Sequence, residues 1–134
     1  MKDVCNCYRT LGLGRIDNMR IIAVFLMFLP VSLIADTTTY SCQYSSYSNQ
    51  ERNHKVKTEF DLNFIVDKES GKSYMLGNNG STEVKLLESS AQISFLEVTT
   101  SGNLMTTTID GQLDTVHSRN TVILGEILPS QYYG

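Results

Sequence analysis

An all-β fold is what this 134-residue sequence predicts. The architecture is a small antiparallel meander, an up-and-down barrel or a two-layer sandwich, preceded by a helical signal peptide. Three observations carry this. Apolar and polar residues alternate with period two in several segments after residue 36. Turn signals rich in Gly and Asn separate those segments at a spacing of roughly ten residues. No window of about eleven residues or more holds a helical apolar period without a Gly or a turn cluster.

Tyr40, Cys42 and Tyr44 share one phase of a first strand, and Ser45 to Asn53 then reads as a loop. Val56, Thr58, Phe60, Leu62, Phe64 and Val66 alternate with Lys57, Glu59, Asp61 and Asn63, the clearest strand of the chain. Lys68-Glu69-Ser70-Gly71-Lys72 is a hairpin loop in which Gly supplies a positive φ. Ser73 to Leu76 returns, and Asn78-Asn79-Gly80-Ser81 holds the Asn-Gly pair favoured in type I′ turns. Thr82 to Leu87 places Val84 and Leu86 inward. In Ala91 to Thr99, Ile93 and Phe95 share a face while Leu96 and Val98 take the opposite phase, which suggests a bulge or burial on both faces. Ser101-Gly102-Asn103 and Asp110-Gly111 are turns on either side of a strand from Leu104 to Ile109. Thr115 to Leu128 reads as one long strand pattern with a break near Gly125, stopped by Pro129. Seven or eight short strands result. Sequential hairpins suit a barrel, which removes exposed edges, and a sandwich equally.

The N-terminal part has a different character. Ile21 to Ala35 contains no charge, with Arg20 before it and Asp36 after it. As a helix it spans about 22 Å, short of a bilayer core, and Pro30 interrupts it. A basic flank, an apolar centre and a small residue at the end are the layout of a secretory signal peptide, with cleavage expected after Ala35. The alternative is an uncleaved anchor. Residues 19–35 are therefore assigned to the signal peptide and residues 36–134 to a single β domain. Residues 1–18 are a leader that reads as an over-extended start ahead of Met19. Gly12-Leu13-Gly14 and Cys5-x-Cys7 lie in that leader. A lone G-x-G without a preceding strand and a single Cys pair carry little chemistry.

Charge narrows the partners. The whole chain has a formal net charge of −3. Cleavage would remove Lys2, Arg9, Arg15, Arg20, Asp3 and Asp17, leaving 7 basic and 12 acidic residues and a net charge of −5. No basic footprint for nucleic acid exists, and an anionic lipid surface is disfavoured. The expected localisation is periplasmic or secreted, with no membrane association after signal cleavage. Cys42 would be the one cysteine of the processed domain. It is then buried and inert, paired between chains, or without its partner.

Candidate chemistry is sparse. Asp114, His117 and Ser118 contain the residue types of a hydrolase triad, but neighbours in a strand leave opposite faces. His54 and His117 lack the spacing of metal ligands. Glu59 with Asp61, and Glu83 with Glu97, are carboxylates that share faces if their strands pair, most simply as a solvated acidic surface. Tyr132 and Tyr133 are expected to cap the core or end a strand. The candidate ligand-binding residues are His117, Arg119 and Thr121, a polar run on one face of a strand pattern. They would either face solvent at an edge or line a small polar pocket, where Arg119 can hold an anion bidentately. No catalytic residue, metal or cofactor is expected.

Phe64-Ile65-Val66-Asp67, Gly77-Asn78-Asn79-Gly80-Ser81, Ile93-Ser94-Phe95-Leu96-Glu97, Thr106-Thr107-Thr108-Ile109-Asp110, Val116-His117-Ser118-Arg119 and Pro129-Ser130-Gln131-Tyr132-Tyr133-Gly134 resemble, in order, a family of small exported proteobacterial proteins without an assigned activity. The resemblance covers roughly residues 56–134 and brings no catalytic residues with it. It implies a further cysteine beyond the Tyr-Tyr-Gly block, so that Cys42 has lost its partner in this chain. The function expected is a non-catalytic binding or interaction module of the cell envelope, whose partner is a small ligand or an envelope protein. A small hydrolase using His117 and a structural or inhibitory envelope protein are the alternatives. An open, polar-lined cavity near His117 and Arg119 would favour ligand binding, and a filled core with a flat surface would favour a structural role.

Overall fold

The computed structural model describes residues 7–11, 36–78 and 80–134. The predicted signal peptide at 19–35, its cleavage point and the rest of the leader, including Cys5 and Gly12-Leu13-Gly14, lie outside the described residues.

Nine antiparallel strands follow one another as β1 (Tyr8–Leu11), β2 (Thr37–Asn49), β3 (Asn53–Asp67), β4 (Lys72–Gly77), β5 (Gly80–Glu88), β6 (Gln92–Val98), β7 (Leu104–Asp110), β8 (Thr115–Ile123) and β9 (Glu126–Tyr133). Each strand from β2 to β8 pairs with the next, and β9 pairs back onto β2, from Ser46↔Tyr133 to Asn49↔Ser130. The eight strands β2–β9 thus form a closed up-and-down barrel, one of the two arrangements that the alternation allows. Closure satisfies edges that a sandwich would leave open.

The alternation of β3 holds where the core lies. Phe60, Leu62, Phe64 and Val66 face inward, opposite Tyr44, Cys42, Tyr40 and Thr38 of β2. Phe64 and Phe95 stack at the centre with ring centroids 4.2 Å apart, and Tyr40 meets Phe95 edge-on at 6.0 Å. Ile109, Val84 and Leu62 complete this packed middle. Outside, Lys57, Glu59, Lys85 and Glu83 are exposed.

The turns follow local chemistry. Asp67 Oδ1 accepts hydrogen bonds from the backbone N–H groups of Glu69 and Ser70, closing the β3–β4 turn. Asp110 Oδ1 does the same for Gln112 and Asp114 after β7.

Three expectations change and one is sharpened. Ser45 to Asn49 is not loop but the continuation of β2, because it pairs with β3 beyond a register shift and with β9 at the barrel seam. The break expected near Gly125 is present and divides Thr115 to Leu128 between two strands. Leu124 and Gly125, with φ of 53° and 86°, form a two-residue hairpin turn between the paired Ile123 and Glu126. Pro129 does not stop a strand. It sits inside β9, beyond the last β9–β2 pair, where a missing N–H breaks no ladder on that side. β6 carries no bulge. Its pairing with β7 is regular from Gln92↔Asp110 to Val98↔Leu104, and Val98 is exposed on the outer face.

Cys42 is not alone in the described structure, as it is bonded to Cys7. Residues 8–11 pair with Ser41 to Thr38 along the edge of β2 that β9 does not reach. β2 therefore has β3 on one side, and β1 followed by β9 on the other. The absence of a partner for Cys42, implied by the family resemblance, is corrected by this bond. The partner comes from the N-terminal side of the chain. Gly134 extends the β8–β9 ladder by exchanging two backbone hydrogen bonds with Thr115, at 2.8 and 3.0 Å. A Cβ there would run into the Gln43 carbonyl oxygen and into Thr115 Cγ2, so only glycine fits.

Candidate functional site at one mouth of the barrel

Inward-facing side chains from neighbouring strands fall into rows across the sheet. One row runs Phe95, Thr107, His117, Tyr132, Tyr47. The next row toward the mouth runs Glu97, Met105, Arg119. Between them and β3–β5 lies a cavity of about 290 Å³, lined by His117, Arg119 and Glu97, by Phe60, Leu62, Met75 and Met105, and by Asn78, Ser81 and Thr82 at its polar side.

His117 is 3% exposed and surrounded by rings. The ring centroids of Tyr44, Phe60 and Tyr132 lie 6.0, 5.9 and 6.0 Å from its imidazole. Its Nδ1 and the Thr107 hydroxyl share a hydrogen bond of 2.8 Å. Burial, reinforced by the Arg119 charge, pushes the imidazole pKa down to about 4, so the ring is neutral at physiological pH. Beside it, burial pushes the Tyr44 hydroxyl up to about 12, against the opposing hydrogen bonds of Thr115 and Thr107. Both groups therefore act at neutral pH as uncharged hydrogen-bonding partners.

Arg119 points its guanidinium over the Tyr132 ring, 6.0 Å from the centroid. Its Nε is buried and has no hydrogen-bond partner among the described residues. Burial raises the Glu97 carboxyl above its ordinary value, and Arg119 counteracts this. The site thus holds one guanidinium with unused donor capacity, one partly desolvated carboxylate and an apolar floor.

The structure brings His117 and Arg119 together and places Thr121 apart. Thr121 lies further along β8, in a separate depression of about 250 Å³ shared with Tyr47, Ile123 and Leu128. Arg119 borders both spaces. His117 and Arg119 face the barrel interior, whereas Thr121 lies beyond the last β7–β8 pair, where β8 pairs with β9 alone.

Other candidates separate. His117 and Ser118 belong to successive positions of β8, and Asp114 lies in the turn before it. His54 stacks on Tyr47 at 4.7 Å and hydrogen-bonds to Asn49. Among the described residues no group of three or more His, Cys, Asp and Glu side chains is placed to hold a metal ion. Glu83 and Glu97 do not share a face: Glu83 reaches Lys72 outside, whereas Glu97 lines the cavity. Tyr132 packs into the ring cluster and Tyr133 hydrogen-bonds to Ser48 at the strand end.

Met75, Met105 and Thr107 belong to the site without having been singled out in the sequence, and Glu97, read there as half of a surface pair with Glu83, belongs to it too. Glu97 had a readable signal, since it is in phase with Ile93 and Phe95. Leu96 and Val98 obscured it. Comparison with family models, with curated proteins and with solved structures finds no match.

Proposed function

We propose that this protein is an exported, non-catalytic small-ligand-binding barrel of the cell envelope, periplasmic or secreted, whose ligand occupies the mouth beside His117 and Arg119. The observation that carries the reading is the 290 Å³ cavity with an apolar floor and a guanidinium Nε left unpartnered. Small-molecule sites combine this kind of apolar lining with a few placed polar groups, and the volume suits a small ligand. Export rests on the uncharged segment 21–35 between Arg20 and Asp36; cleavage after Ala35 would remove β1 and Cys7, so the Cys7–Cys42 bond belongs to the unprocessed chain. The apolar interior and charged exterior are the reverse of the order in a membrane-spanning barrel, which supports the domain working in water.

The Thr107–His117 hydrogen bond has the length of a nucleophile–base contact and is the observation on which a hydrolase reading would rest. Three features weigh against it. Thr107 is 1% exposed, the imidazole is a weak base at a pKa of about 4, and the charge beside it is Arg119 rather than an orienting carboxylate.

Thermal-shift and calorimetric screening against neutral, anionic, cationic and zwitterionic metabolites tests the proposal, with product formation followed in parallel. The expected result is stoichiometric binding without turnover, lost in Arg119→Ala. Turnover abolished by His117→Ala, or binding indifferent to Arg119, would overturn it.

A further inference from the structure

Building on the ligand-binding reading, we infer that the ligand class of the mouth is a free α-amino acid with an apolar side chain. Glu97 pairs with Met105, and Met105 pairs with Arg119. The three side chains form one row on the inner face, and strand spacing puts the Cα atoms of Glu97 and Arg119 about 10 Å apart. Both charges line the same cavity, with an apolar side chain between them. Among the described residues neither makes an ion pair or side-chain hydrogen bond with another.

A simple anion would meet Glu97, and a simple cation would meet Arg119. A molecule carrying a carboxylate and an ammonium on one carbon satisfies both. Its carboxylate accepts from the guanidinium, where charge-assisted bonds are strong. Its ammonium donates to Glu97. Its apolar body then lies against Met75, Leu62 and Phe60. Methionines flanking such a body adapt to side chains of different shape, so selectivity falls on the charged ends rather than on one residue type.

Calorimetric titration of the full chain with apolar L-α-amino acids, their N-acetyl forms and their methyl esters tests this. At least one free amino acid is expected to bind, and its N-acetyl and ester forms about tenfold or more weaker, as loss of one charged hydrogen-bonding partner implies. Glu97→Gln should erase the preference over the N-acetyl form and keep that over the ester. Arg119→Gln should do the opposite. If blocked forms or apolar dipeptides bind as tightly as the free amino acid, the inference is overturned. It is also overturned if only non-zwitterionic metabolites bind, and the ligand-binding reading then stands. Binding of no small molecule at all overturns both. The comparison of blocked and free forms on the unaltered chain decides the matter even where a variant does not fold.

Discussion

His117 shows how burial turns a titratable side chain into a packing element. In the unfolded chain its imidazole takes up a proton near the ordinary pKa of about 6.5. In the folded barrel it does so only near 4. Between these values the unfolded state binds more protons, so stability falls as pH drops from about 6.5 to about 4 and levels off below. The shift corresponds to about 3 kcal/mol at most. Urea unfolding at several pH values should show this slope, and His117→Phe should flatten it whatever the variant's absolute stability. Phe95 is the other residue on which the interior depends. It is 1% exposed and stacked on Phe64, so Phe95→Ala should cost about 3–5 kcal/mol in the same measurement. The polar run His117, Arg119, Thr121 was legible as one face of a strand. That Thr121 falls outside the cavity was not, because alternation fixes a side but not how far along the strand the cavity extends.

At the level of elements, alternation and turn chemistry were legible where they act locally. β3 announces itself through Phe60 to Val66, and Gly71 and Gly102 mark turns with φ of 69° and 82°. At the β8–β9 hairpin the break near Gly125 was legible but the two-residue turn was not, because Leu124 also adopts a positive φ, which no sequence rule assigns to leucine. Gly125 has open space around a Cβ, so Gly125→Ala should cost about 1–3 kcal/mol through backbone strain alone, measured by chemical denaturation. The Cys7–Cys42 bond joins elements 35 residues apart, and no local pattern shows it. Chain-entropy reasoning assigns such a loop about 4 kcal/mol. In the full chain unfolded in denaturant Cys42 should resist thiol reagents until reductant is added, and Cys7→Ser should make it titratable there while lowering stability by roughly that amount. Rapid labelling of Cys42 in the oxidised full chain would contradict the pairing.

The whole molecule depends on contacts that lie far apart in sequence. The seam pairs Ser46 with Tyr133 and Tyr47 with Tyr132, and it decides between barrel and sandwich. Period-two patterning is identical in both, so the fold class was legible while closure was not. Closure also creates the site. It brings Tyr132 of the last strand against Phe60 of β3 at 4.8 Å and against His117, and both of these rings line the cavity. The opposite end of the barrel holds a separate space of about 230 Å³ around Thr38, Tyr40 and Ser73, where Thr38 Oγ1 lacks a partner among the described residues. The exposed apolar residues Val122, Ile123, Leu124 and Ile127 cluster on the β8–β9 hairpin. These three places compete as locations for a ligand, and they lie far enough apart to be told apart spectroscopically. Met75 and Met105 line the mouth beside His117 and Arg119 and neither borders the Thr38–Ser73 space, so methyl labelling of methionine reads that mouth directly. Titrating the labelled protein with the ligand that screening selects should shift the Met75 and Met105 methyl resonances together with the His117 ring signals. Shifts confined to the β8–β9 hairpin or to the Thr38–Ser73 end, with both methionine methyls unmoved at saturation, would contradict the account.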